Sequence, residues 1–232
     1  GLLEGVKLLV ENGANIEANI NGLTAFYFAV LRGQFQVAKY LIEKGANIEP
    51  VEENGITPLI FCSAYGLPAS VKMLIDCNAN IEAKDINGLT SLMWASRNNK
   101  ENIISMLIEA GANVNEKNND GDTALLIAVR RKNTKAVKKL MENGADSAIA
   151  NNKGWTALAA ANEIDNDIIL SLVSNETVII ETPDAPFGII TRKAQSENTY
   201  ENIQDNEIQM LTVRYDTAPI TPQSQSVCCL II

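Results

Sequence analysis

The chain has no histidine. Without an imidazole it assembles no Ser-His-Asp or Cys-His nucleophile and no histidine-ligated zinc. Cysteines are few: Cys62, Cys77, Cys228 and Cys229. Their spacing matches neither a zinc site nor a disulfide framework, which points to a reducing compartment. Basic residues are short, 19 Lys and Arg against 28 Asp and Glu, for a net charge of −9. That balance argues against a nucleic-acid partner, whose phosphates require a basic face. No apolar run approaches the roughly 18 residues of a membrane-spanning helix. The opening Gly1-Leu2-Leu3-Glu4 is neither a signal peptide nor an initiator, and reads as a start within a domain. No cofactor-binding pattern is present. Glu49, Glu52 and Glu53 read as an exposed hairpin rather than a paired acid and base. The chain is therefore expected not to be an enzyme. What remains is 232 residues, one or two domains' worth, with 46% hydrophobic residues to build a core but only 5% aromatics.

Self-similarity organises those residues. Gly22, Gly55, Gly88, Gly121 and Gly154 recur every 33 residues, each followed two positions later by Thr24, Thr57, Thr90, Thr123 or Thr156. Small residues follow in phase at Ala29, Cys62, Ala95, Ala128 and Ala161. A second landmark keeps the period: Gly45-Ala-Asn, Asn78-Ala-Asn, Gly111-Ala-Asn and Gly144-Ala-Asp, with an earlier Gly13-Ala-Asn 32 residues before Gly45. Asn87-Gly88 is a turn dipeptide whose glycine is free to take positive φ. The threonine that follows is an N-cap, and Pro58 sits just inside one such cap. This predicts a short helix such as Pro58–Tyr65. A second helix carries Val37, Ala38, Leu41 and Ile42 at helical spacing and stops at Gly45. Helices this short are marginal alone, so each copy must bury its faces on its neighbours. Two columns look apolar between copies: Tyr27, Ile60, Met93, Leu126 and Ala159, and beside them Phe28, Phe61, Trp94, Ile127 and Ala160. Both are expected in the core.

Thr57-Pro58-Leu59 and Gly111-Ala-Asn-Val-Asn115 at this period resemble the ankyrin repeat. The resemblance implies an all-α solenoid of helix-turn-helix units joined by β-turn or hairpin loops. It covers residues 1–175: a partial repeat at 1–20, repeats at about 21–53, 54–86, 87–119 and 120–152, and a more polar capping repeat at 153–175. The family's histidine after Thr-Pro-Leu is here Tyr27, Ile60, Met93, Leu126 or Ala159, which leaves each cap to the threonine alone. The glycine before the second helix becomes Asn99, Lys132 and Asp165 in later copies. Residues 1–20 hold only a second helix, so either further repeats precede Gly1 or the segment has been trimmed.

Residues 176–232 change character. They carry four of the seven prolines and eight acids against three bases. They read as a mostly disordered tail. The chain closes on Cys229-Leu-Ile-Ile232, which resembles a C-a-a-X prenylation box, with Cys228 as a candidate for a second lipid. The expected location is then cytoplasmic, at the cytosolic face of a membrane. The alternative is a chance apolar terminus or one packed on the repeats. The layout is also similar to that of some ankyrin-repeat effectors exported by intracellular bacteria.

The family resemblance further implies a protein partner held by the hairpin tips and the exposed side of the first helices, with no cofactor and no metal. Carried over by position, the candidates are Arg32, Tyr65, Arg97, Arg130, Arg131 and Trp155, with Asn54, Asn87 and Asp120 at the tips. Tyr, Trp and Arg are the residue types most often found as interface hot spots. The arginines share a register, so the concave face is expected to be locally basic and to suit an acidic peptide; an ordinary solvated face is the alternative. Two other functions stay open: the C-terminal part of a larger protein whose catalytic domain precedes Gly1, and a soluble adaptor with no lipid anchor.

Overall fold

The computed structural model describes residues 1–164 and 166–174, and the backbone of 180–181 and 228–229. Residues 1–173 and 174–232 form two separate units. The first is built from helix pairs. Helix α1 (Leu2–Glu11) comes first and packs as an outer helix, on α3. A two-residue hairpin, β1 (Asn19–Ile20) and β2 (Leu23–Thr24), leads into α2 (Ala25–Leu31) and α3 (Phe35–Glu43). The pairs α4 (Pro58–Tyr65) and α5 (Pro68–Asp76), α6 (Ser91–Arg97) and α7 (Glu101–Glu109), and α8 (Ala124–Arg130) and α9 (Thr134–Glu142) follow. The last pair is α10 (Ala157–Glu163) and α11 (Asp167–Ser174). In the second unit β3 (Ile180–Glu181) pairs antiparallel with β4 (Cys228–Cys229).

The first helix of each pair, called inner below, stacks on the next: α2 on α4, α4 on α6, α6 on α8, α8 on α10. Among the outer helices α1 packs on α3, and α5, α7 and α9 stack in turn. Inner helices of seven or eight residues fall below the length of about 12 that is even marginal alone in water. Their stability comes from neighbours. Tyr27, Ile60, Met93 and Leu126 are fully buried, as are Ile104, Leu107, Val137 and Leu140 from the outer helices.

Each inner helix opens on a threonine in extended conformation. The hydroxyls of Thr24, Thr57, Thr90, Thr123 and Thr156 accept from the backbone N–H three residues on, at 3.0 to 3.4 Å. The caps are threonine-only, as the missing histidine demands. Thr90→Ala is expected to cost about 1 kcal/mol, read by urea unfolding, with Thr90→Ser keeping most of it.

Polar clasps join adjacent repeats. Backbone N–H groups of Asn47, Asn80 and Asn113 donate to the carboxylates of Glu17, Glu49 and Glu82 one repeat earlier, at 2.7 to 2.8 Å. Asn115 performs this role for Asp146 at 2.8 Å. Glu49 is therefore half-buried and spent on the fold, not part of an exposed hairpin as its sequence suggested. Between hairpins, the carbonyls of Asn54, Asn87 and Asp120 accept from Ile86, Asn119 and Asn152 N–H at 2.9 to 3.1 Å.

Lys84 Nζ reaches Glu116 Oε1 at 2.6 Å across a repeat boundary. That hydrogen bond, more than the ion pair's charge, holds the Glu116 carboxyl below its usual 4.5. A depressed carboxyl adds stability above its unfolded value and loses it as pH falls through the folded value. Thermal midpoints between pH 5 and pH 3 are thus expected to drop more in the native chain than in Lys84→Met.

Asn99 and Lys132 close their turns at φ 54° and 57°, the left-handed region. Asp165 lies outside the described residues. The left-handed Lys132 carries about 1–2 kcal/mol of strain, partly offset by the entropy a glycine would lose. Lys132→Gly is expected to raise stability by about 0.5–1 kcal/mol in the same urea assay.

Candidate functional site

The inner helices, seven or eight residues long, pack against an outer helix and against the adjacent inner helices, and leave one strip open. The residues on that strip differ from the expected core. Phe28 is 44% exposed, and Phe61, Trp94 and Ile127 are half-buried, whereas only Ala160 of that column is buried. The neighbouring column from Tyr27 to Leu126 is the true core. The Phe28 column instead lines an apolar stripe on the inner-helix face. Phe61 anchors it: its ring meets Tyr27 edge-on at 6.1 Å and stacks on Tyr65 at 4.3 Å. Tyr65 stays 63% exposed despite the stack.

Trp94 sits at the centre of the stripe. Its indole N–H donates to Asp85 Oδ2 at 2.9 Å, and the Arg97 guanidinium lies over its ring at 5.2 Å. Asp85 is buried and holds the hairpin as well, accepting from Asn87 N–H at 2.8 Å and Leu89 N–H at 2.9 Å. Hairpin, tryptophan and arginine thus form one connected unit. Leu89, two residues beyond Asn87 in the same hairpin, is buried.

The remaining candidates divide. Arg32 and Arg131 are exposed. Arg130 is tied to Asp122 at 2.9 Å, and Asp122 also accepts from the Asn151 amide. Trp155 is half-buried against the core. Asn54, Asn87 and Asp120 keep exposed side chains, while their carbonyls bind the next hairpin. Among the described residues no carboxylate pairs with Arg32, Arg97, Lys100 or Arg131, so this face of an acidic chain carries free positive charge. Sequence reasoning missed Phe28, Phe61 and Lys100.

Cys62 is buried, and burial pushes its thiol up to about 12, which makes it a packing residue. Among the described residues no group of His, Cys, Asp and Glu is arranged to hold a metal ion. None of the described helices is long and apolar enough to cross a membrane. The side chains of Cys228 and Cys229, with the rest of the tail, lie outside the described residues.

A family model for ankyrin repeats (3 copies) matches three overlapping stretches, residues 1–85, 46–118 and 92–182. No curated protein matches the chain.

Proposed function

The chain belongs to the ankyrin-repeat family, whose repeats serve protein–protein interaction, and we propose that its inner-helix face is the surface that binds the partner. The observation that carries this reading is the apolar stripe from Phe28 to Ile127, left open where the rest of each inner helix is buried. Aromatic side chains held rigidly at a surface are costly to leave wet and supply contact area with little entropy loss. The unpaired Arg32, Arg97 and Arg131 beside them favour an acidic segment. Quantitative affinity purification tests it. Proteins retained by the native chain should be depleted several-fold with Tyr65→Ala plus Arg131→Glu, and unchanged with Lys72→Glu on outer helix α5. Equal retention by all three forms would overturn the face assignment.

We also propose that the terminus anchors the complex to a membrane. What supports this is sequence: Cys229 followed by two aliphatics and Ile232, with Cys228 for a second lipid, in a chain lacking a polybasic run. The function is then recruitment at the cytosolic face of a membrane. Intact mass of the C-terminal peptide from eukaryotic cells decides it. A prenyl adduct with loss of residues 230–232, absent from Cys229→Ser, is expected; an unmodified Ile232 terminus refutes it.

A further inference from the structure

Inner helices α4 and α6 pack closely along their length but leave a shallow depression where their C-terminal ends emerge. Between them lies an open cleft of about 380 Å³ lined by Ala64, Tyr65, Trp94, Asn98 and Lys100. An apolar cavity of about 150 Å³ is enough to take a benzene ring. The cleft is open to solvent and part polar, so it can seat the face of one aromatic or branched aliphatic side chain rather than enclose it.

Its walls are held from behind. Tyr65 leans on Phe61 in a stack with 20° between the rings. Asn98 Nδ2 donates to the Ala64 carbonyl at 3.0 Å and ties the C-terminal ends of the two helices together. The polar edge of Trp94 is spent on Asp85, so what Trp94 offers the cleft is apolar surface. A pocket whose walls are already fixed loses little entropy when filled.

Its rim is cationic. A Cβ added at Gly66 would lie 2.8 Å from Lys100 Cδ, so the lysine stem crosses the turn that ends α4, beside Tyr65. Arg97 is stacked over Trp94, and Arg131 is exposed one repeat on. The carboxylates of Asp85, Asp122 and Glu101 have other partners, Glu101 pairing with Lys135. Asp85 is taken by three N–H donors, and Asp122 by Arg130 and Asn151.

We propose that this cleft is the anchor site for a linear protein segment that carries one aromatic or branched aliphatic side chain beside carboxylates. The apolar side chain enters between Tyr65 and Trp94, and the flanking carboxylates meet Lys100, Arg97 and Arg131. The proposal rests on the inner-helix face being the binding surface and specifies what that face selects. Aromatic rings beside cations also suit single-stranded nucleic acid. Phosphates, however, require a continuous cationic track, and here Arg130 is neutralised by Asp122 within a chain of net charge −9.

The test is to pan random displayed peptides of about 16 residues on the full chain; at about 3.3 Å per residue these run across several repeats. Enriched peptides are expected to carry an aromatic, Leu, Ile or Val residue with Asp or Glu within three positions. Their affinity should fall at least about tenfold in Tyr65→Ala, the effect of losing an interface anchor. Panning on Arg97→Glu plus Lys100→Glu should abolish the acidic preference while keeping the apolar one. Tyr65 is largely exposed, and an unchanged thermal midpoint verifies that its variant is folded. Peptides that depend on Tyr65 yet are basic or uncharged would overturn the acidic anchor and leave the binding face standing. A panel in which no peptide depends on Tyr65, Arg97 or Lys100 would overturn both. Tighter binding of a poly-thymidine oligonucleotide than of any peptide would replace the partner class.

Discussion

Gly88→Ala is expected to cost about 3 kcal/mol or more, combining left-handed strain with a clash that cannot relax. Gly88 has φ 76°, and a Cβ there would lie 2.7 Å from the backbone nitrogen of Asn119 in the next hairpin, close to that residue's side-chain oxygen as well. The same Asn119 N–H donates to the Asn87 carbonyl at 3.1 Å. The methyl group would therefore push apart the hydrogen bond that stacks two hairpins. Gly154→Ala is the control. It has φ 81° but nothing within 4 Å of an added Cβ, so only conformational strain of about 1–2 kcal/mol applies. Urea unfolding of both variants checks the difference. Equal losses would mean that repeat stacking does not depend on close approach at the turn.

Leu107→Ala is expected to cost about 3–5 kcal/mol, as for other fully buried leucines. Leu107 is completely buried on α7, which packs on α5, α6 and α9. A solenoid transmits stability only through adjacent units. A cavity in the central repeat therefore weakens the coupling between its two sides, and the single unfolding transition should broaden or split. Leu9→Ala, on the 63% exposed position of α1, should change stability by less than about 0.5 kcal/mol. Calorimetry on the two variants distinguishes them. A sharp, barely shifted transition for Leu107→Ala would contradict nearest-neighbour coupling.

The period made most of this fold legible. Gly, Thr and small residues in phase placed the turns, the caps and the short helix Pro58–Tyr65, because each obeys a local rule of backbone conformation or hydrogen bonding. The facing of the inner helices was not legible in the same way. Tyr27 and Phe28 are adjacent and both aromatic, and two helical turns contain too few residues to fix which one points inward. Packing against outer and adjacent inner helices makes nearly every position apolar, so the open strip does not stand out. Trp94 was read as core for that reason, and its pairing with Asp85 depends on a hairpin folding back nine residues earlier. The Glu17, Glu49 and Glu82 clasps were hidden differently. Their acceptors sit about 31 residues from their donors. The signal was present, however, as a glutamate recurring after Asn-Ile in three consecutive copies. Arg97 and Tyr65 were singled out as candidates from residue type and register, whereas Lys100 belongs to the turn after α6 and joined the candidates only once α4 and α6 were placed side by side.

The measurement closest to the central claim is site-specific photocrosslinking of the full chain in cells. A photoreactive residue is placed at Tyr65 or Asn98 on the inner-helix face, and at Lys72 or Lys138 on outer helices α5 and α9. Discrete protein adducts from Tyr65 and Asn98, with none from Lys72 or Lys138, are predicted. Adducts from the outer helices alone, or equally from all four positions, would contradict the account.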